Sequence, residues 1–508
     1  MFHNDQTEAP LFYFSQLAEI PRDSGKEKAV SDFLLKWALE RGLDAHQDEV
    51  WNLIIKKPGS AGREAEEPVI LQAHLDMVCE KDSTSRHNFE TDPIPLRMDG
   101  DWLTSAAGTT LGSDDGIGVA YIMAVLADET LSHPPIEALL TVQEESTFAG
   151  AANVDWSLLF GKRLINLDQS VENEVLCGAC GGTGMQMRVP LVQEPVPEGF
   201  QTMRVTISGL EGGHSGEDIH RGRGSAIALL ARGLQSCKEN LHGVQGCKDG
   251  LQGSKADGRS ELRIVEFTGG TSRLAISREA GTVFAIAETD VEACEQLWSE
   301  LEQQWKKEYE TTAKRLHVQV QTGTKESNDC GTKKQSCYTA ESGEKILAAL
   351  RLFPDGIQQM NGTFPGTVES SNNLGIVRTE ETELVLTAEA RGAYASTIEA
   401  IRQKVLCLAD LLGGTCEFFA AYVPWEYRSD SPLRRLAMDT YREAFRTELK
   451  PVVVHAGIEC GFFLQAKPEL DAISIGPTAQ YFHSPKERLQ VSSTLREWMF
   501  LKELLERI

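Results

Sequence analysis

The stretch "EPVILQAHLD", residues 67–76, runs from a proline into an apolar segment and ends on a histidine and an aspartate two positions apart. Val69, Ile70, Leu71 and Ala73 form a nearly unbroken apolar run, which predicts a strand in the core of the protein. His74 and Asp76 then stand at its carboxyl end, where α/β sheets place their functional residues.

Working outward, "EVWNLIIKK" (49–57), "IEALLTVQEE" (136–145) and "GKRLINLDQS" (161–170) read as further strands. Helical spacing appears in "DDGIGVAYIMAVLADE" (114–129) and in residues 24–42, where Val30, Phe33, Leu34, Trp37 and Ala38 share one face. In the latter helix Ser24 and Glu27 have the spacing of a capping box, and Gly42 is placed to end it. Strands alternating with helices imply an α/β fold whose central sheet is mixed, largely parallel and flanked by helices.

With 508 residues the chain exceeds one ordinary core, and its texture changes after residue 186. "QTMRVTISGLEGGHSGEDIHRGRGSAIALLARGLQ" (201–235) reads as strand, glycine-rich loop and helix. Strand and helix signals resume in "CEFFAAYVPWEY", "PVVVHAGIECG", "DAISIGP" and the C-terminal "STLREWMFLKELLERI". The expected organisation is a first domain split between 1–186 and 421–508, interrupted by an inserted α+β domain at 187–420. Two Gly/Lys/Ser-rich stretches, 237–260 and 323–337, read as exposed loops.

Seventy-five acidic against 50 basic residues give a net charge of −25, which disfavours nucleic acid and anionic membrane surfaces as partners and suits metal cations and small substrates. Eleven scattered cysteines do not form the framework of a secreted disulfide protein. No secretory leader pattern or apolar span is present, so a cytoplasmic protein is expected. "CGAC" (177–180) lacks a second pair, which favours buried thiols over a redox or zinc motif.

His74, Asp76, Asp114, Asp115, Glu144, Glu145, Asp168 and His483 form a set that can hold two divalent ions, since such a pair needs imidazoles and carboxylates from several segments. Adjacent carboxylates at 144 and 145 can divide the work, one binding metal and the other handling a proton. Each piece also has a plainer role: Asp114 and Asp115 as a helix cap, Asp168 in a turn, the Glu pair in solvent. Their joint occurrence carries the case.

Taken together, "AHLDMV", "GTTLGSDDGIG", "TVQEES", "INLDQS", "GGHSG" and "HSPKE" resemble the co-catalytic zinc peptidase family of aminoacylases, carboxypeptidase G and carnosinases. With "CGACGG", "GLEGGHSGEDIH", "HAGIECG" and "SIGPTAQYFHSP" the likeness narrows to its bacterial aminoacyl-histidine dipeptidases and runs from about residue 10 to the C-terminus. The resemblance implies that His74 and Asp168 bind one zinc, Glu145 and His483 the other, and that Asp114 bridges them. Cobalt or manganese would suit the same ligands. It further implies that Asp76 orients His74, that Glu144 is the general base, that the inserted domain acts as a lid whose His214 stabilises the oxyanion, and that Arg391 clamps a peptide carboxylate. Gly457 and Glu459 would line the same pocket.

The implied activity is hydrolysis of dipeptides, Xaa-His or broader. An N-acyl-amino-acid amidohydrolase or aminopeptidase, or a silent metal-binding relative, is the alternative. Where the family typically has Asn and Pro in "GGTxRNAIP", this chain has Leu274 and Ser277, which leaves the preferred dipeptide open. Monomer and homodimer are equally open.

Overall fold

The computed structural model describes residues 2–3, 5, 7–240, 262–323 and 336–508. It forms two compact units, Met1–Ala179 with Tyr422–Ile508, and Cys180–Ala421.

The first unit is built on an eight-stranded sheet. Val69–His74 lies at its centre, parallel to Ile136–Thr141 on one side and to Arg163–Asn166 on the other. Asp471–Ser474 continues the parallel arrangement, while Leu53–Lys57 and Asp44–Gln47 close one end antiparallel. All six residues of Val69–His74 are buried, because helices cover both faces of a parallel sheet. The mixed α/β class expected from the sequence is therefore observed.

The helix Ser113–Ala127 is buried nearly all round, which explains its apolar sequence on every face. Two of its glycines are required by close approach. A Cβ on Gly116 would come 2.4 Å from the Arg22 guanidinium, and one on Gly118 would come 2.3 Å from the Asp115 carboxylate.

Helix Lys28–Leu39 buries Val30, Leu34, Trp37 and Ala38 as its spacing requires, with Phe33 half-buried. The expected capping box is absent. Ser24 Oγ pairs instead with Ser146 Oγ at 2.7 Å, and Glu27 Oε1 accepts from the backbone N–H of Gly25 and of Gln143 at 2.7 and 3.1 Å. A tertiary donor has taken the carboxylate that the local motif would have used.

The second unit carries a nine-stranded sheet in which every described pairing is antiparallel. The helices Ala226–Asn240, Val291–Glu308, Ala340–Leu352 and Ala395–Leu412 contribute to its own core. Trp298 and Trp305, seven residues apart on one helix, are fully buried there. Of the two stretches expected as loops, residues 237–240 complete the helix Ala226–Asn240, and Ser336–Tyr338 is a strand with Cys337 buried. The segments 241–261 and 324–335 lie outside the described residues. No helix among the described residues is long and apolar enough to cross a membrane.

Candidate active site

The parallel strands bring their carboxyl ends together, and the polar residues that follow them meet there. His74 Nε2 lies 3.0 Å from Asp114 Oδ1 and 3.9 Å from Asp168 Oδ1. Asp114 turns its other oxygen, Oδ2, to His483 Nε2 at 3.4 Å, and the same nitrogen is 2.9 Å from Glu145 Oε1. Two metal-compatible groups result, His74 with Asp114 and Asp168, and Asp114 with Glu145 and His483, each with ligand atoms within 4.8 Å of one another. Asp114 belongs to both. Glu144 forms a third such group with His74 and Glu145.

Asp76 is 0 % exposed and serves three neighbours. Its Oδ1 is 3.3 Å from His74 Nδ1 and accepts the Glu144 N–H at 3.1 Å, while Oδ2 accepts the Glu145 N–H at 3.0 Å. One carboxylate thus lies against an imidazole and accepts from the backbone of both adjacent glutamates. The turn that carries them is held in uncommon backbone: Gln143 at φ 57° and Phe148 at φ 54° bracket the pair, and Tyr481 at φ 60° and His483 at φ 54° bend the loop opposite. Non-glycine residues in that region cost about 1–3 kcal/mol each and persist where the surrounding structure imposes them.

The charge balance follows from crowding. Burial and the charges of Asp114 and Asp115 push the Asp168 carboxyl well above its ordinary range. Burial, against the favourable pull of His74, does the same to Glu144, aided by Glu145, Glu459 and Asp114. Burial opposes a charge on His483, yet Asp114 and Glu145 raise it to about 11. Burial likewise opposes a charge on His74, but Asp114, Asp76 and Asp168 hold it well above the ordinary histidine value. Four carboxylates around two imidazoles repel one another in a low dielectric and attract cations. This mixed nitrogen and oxygen donor set fits two divalent ions such as zinc.

The profile of the peptidase family M20/M25/M40 matches residues 70–507. The chain belongs to this family. It is accordingly a hydrolase of peptide bonds. It is 35 % identical over 495 residues to the cytosol non-specific dipeptidase of Escherichia coli (strain K12), covering 97 % of this chain and 96 % of the relative. The structure of an aminoacylhistidine dipeptidase from Vibrio alginolyticus superposes with a TM-score of 0.84 at 34 % identity, covering 98 % of this chain and 96 % of that one. A tripeptidase from Staphylococcus aureus subsp. aureus mu50, at 15 % identity and a TM-score of 0.53 over 99 % of this chain and 98 % of that one, shares the fold.

In the second unit of this M20 peptidase, Arg391 Nη2 lies 3.4 Å from His214 Nε2. His214 sits in a loop whose Gly212 and Gly213 have φ of 66° and 138°. A Cβ on Gly213 would meet Arg223 at 2.1 Å, so glycine lets the loop wrap the Arg223–Asp218 pair. Asp218 in turn accepts the His214 N–H at 2.9 Å. Leu274 is pinned beside this loop, its carbonyl accepting the Ser215 N–H at 2.9 Å. Arg273 pairs with the buried Glu389 at 2.8 Å.

Glu459 lies beneath the surface rather than on it: 1 % exposed, its Oε2 accepts from Gln72 Nε2 and Thr141 Oγ1, both at 2.7 Å. Burial raises its carboxyl to about 7 despite His74 nearby. Gly457 stands where a Cβ would come 2.8 Å from the Tyr422 ring and 3.4 Å from Phe148. Cys177 and Cys180 are buried free thiols, as the isolated motif suggested.

Several supporting residues escape sequence reasoning. Arg22, 3 % exposed, donates to the carbonyls of Leu75 and Asp76 at 3.1 Å each and to that of Gly112. Glu487 accepts from the backbone of Leu111, Gly112 and Ser113 at 2.7, 3.1 and 2.8 Å, and from Ser113 Oγ at 2.6 Å. Together they clamp the chain leading into Asp114. Glu487 had a signal, since it closes the "HSPKE" stretch; Arg22 had none. Gln72, inside the apolar run, joins Asn166 Nδ2 at 2.6 Å to the same buried network.

Proposed function

We propose that this peptidase is a two-metal dipeptidase of Xaa-His or broader specificity, acting in the cytoplasm. The observation that carries this is the pair of ligand groups sharing Asp114, with one carboxylate oxygen turned to each imidazole. His74 and Asp168 would hold one ion and Glu145 and His483 the other, with zinc the simplest choice and cobalt or manganese able to replace it. When bound, such ions supply a water acidified toward a pKa of about 7 and polarise the substrate carbonyl.

Glu144 takes a proton from the water that attacks the peptide carbonyl and returns it to the amine that leaves as the C–N bond breaks; it is placed for this because Asp76 fixes its backbone without using its side chain. Asp76 also holds the His74 ring in one orientation, which raises the basicity of the nitrogen turned to Asp114. Arg391 takes the peptide carboxylate by paired hydrogen bonds, and His214 beside it stabilises the oxyanion. The Escherichia coli and Vibrio relatives, named as dipeptidases, support the substrate class, and the former is named for the cytosol.

An assay of Ala-His, carnosine, Cys-Gly and an N-acetyl amino acid, each with and without added zinc, tests this. Metal-dependent cleavage of the free-amine dipeptides is expected. Preference for the N-acetyl compound would replace the reading with an acyl-amino-acid amidohydrolase.

A further inference from the structure

The metal-bearing unit contains an aromatic cluster that none of the roles above uses. Phe148 is its central ring, with Tyr422 at 5.9 Å and Phe462 at 5.6 Å between ring centroids, tilted by 34° and 36°. All three rings are half-buried. Two features tie this cluster to the carboxylates. Phe148 lies three residues beyond Glu145 in one turn, closed by the Phe148 N–H donating to the Gln143 carbonyl at 2.8 Å. The left-handed backbone at Phe148 sets the direction of the chain there, in a conformation a phenylalanine rarely takes unless its ring is wanted in one place. On the opposite side, Gly457 lets the Tyr422 ring rest against the backbone two residues before Glu459, whose carboxylate lies under the strand end that carries His74.

We propose that Phe148, Tyr422 and Phe462 form the subsite for the side chain of the substrate's amino-terminal residue, and that it selects apolar and flat-ringed side chains. The proposal rests on the dipeptidase reading, in which the peptide bond is cleaved at the carboxylates and imidazoles of this same unit, whose Glu144–Glu145 turn also carries Phe148. The chemistry is that of an apolar wall beside a polar centre: rings remove apolar surface from water and stack on planar groups, while a glycine side chain gains nothing there. Gly457 is then a seat for a ring, and its removal acts through Tyr422.

The test is steady-state kinetics of the metal-loaded full chain on two series, X-Ala and Ala-X, with X as Gly, Ala, Leu and Phe. Wild type should cleave Leu-Ala at least about 10-fold better than Gly-Ala in kcat/KM, as a few methylenes in an apolar pocket allow. In Phe148→Ala and in Phe462→Ala the Leu-Ala to Gly-Ala ratio should fall toward one, through KM more than kcat, whereas Tyr422→Phe keeps the ring and keeps the ratio. Circular dichroism melting and metal content check each fold; should an alanine variant fail to fold, Phe148→Leu and Phe462→Leu replace it, and the Phe-Ala to Leu-Ala ratio is read instead. A uniform loss that leaves the ratios unchanged overturns the subsite alone, as does a response confined to the Ala-X series. A wild-type protein that cleaves none of these dipeptides overturns the dipeptidase reading and the subsite with it.

Discussion

In the first unit the strand Val69–His74 is buried along its whole length, whereas in the second the strand Phe200–Ser208 alternates from Thr202 onward between half-exposed and buried positions. The first pattern belongs to a parallel sheet covered on both faces, the second to an antiparallel sheet with one face toward a core. The difference decides where polar side chains can gather. A sheet covered on both sides leaves only its strand ends open, so carboxylates and imidazoles from separate segments converge on one point. In the antiparallel sheet, neighbouring strands set polar residues side by side, and here the buried Ser371 pairs with Arg391 and the buried Asn373 with Glu389. Chemistry that needs a cluster suits the first arrangement, and recognition of an extended group suits the second.

Asp114→Ala should remove a ligand from both groups at once, so metal analysis is expected to find less than one ion per chain and no activity. His214→Ala and Arg391→Ala should retain both ions, and metal loss in either would show that the second unit takes part in holding them. Glu144→Gln should lower kcat by about 10²- to 10⁴-fold with both ions bound, the range of general acid–base catalysis. Near-normal turnover by that variant would remove Glu144 from the mechanism.

Asp76→Asn comes next. It keeps the size of the side chain but weakens the grip on the His74 ring, and metal affinity in a chelator competition should fall about 10- to 100-fold. Arg391→Ala is expected to cost about 1.5–3 kcal/mol in transition-state binding, read as a drop of roughly 10- to 150-fold in kcat/KM for dipeptides. Arg391→Lys should recover only part of this, because a single ammonium cannot make the paired contact. Trp298→Ala should cost about 3–5 kcal/mol of stability in a denaturant melt, the range for emptying a buried aromatic site, while metal affinity stays unchanged. A matching loss of metal would mean that the two units do not keep their tasks apart.

Much of the site was legible because its residues fall at places with a simple local signature. His74 ends an apolar run, Glu144 and Glu145 end another, and Asp114 stands in the first turn of a helix, so pattern and chemistry coincide. The capping box failed for the opposite reason: Ser24 and Glu27 have the right spacing, but partners at Ser146 and Gln143 compete for the same atoms. The loop readings failed at their ends, where Cys237 and Cys337 turned out buried in a helix and a strand. Gly- and Lys-rich composition marks a loop only where no apolar face continues into it.

The alternation of strands and helices, the α/β class and the set of candidate metal-binding groups are legible from residue type and short-range period. Only the tertiary structure decided that Asp114 turns one oxygen to each histidine, that Asp76 serves three neighbours, and that Arg22 and Glu487 clamp the loop between them. Apart from the His74–Asp76 pair, those contacts join residues 40 to 376 positions apart. No local pattern encodes such a pairing, because it comes from the order of strands in the sheet and the burial that makes each polar group find a partner.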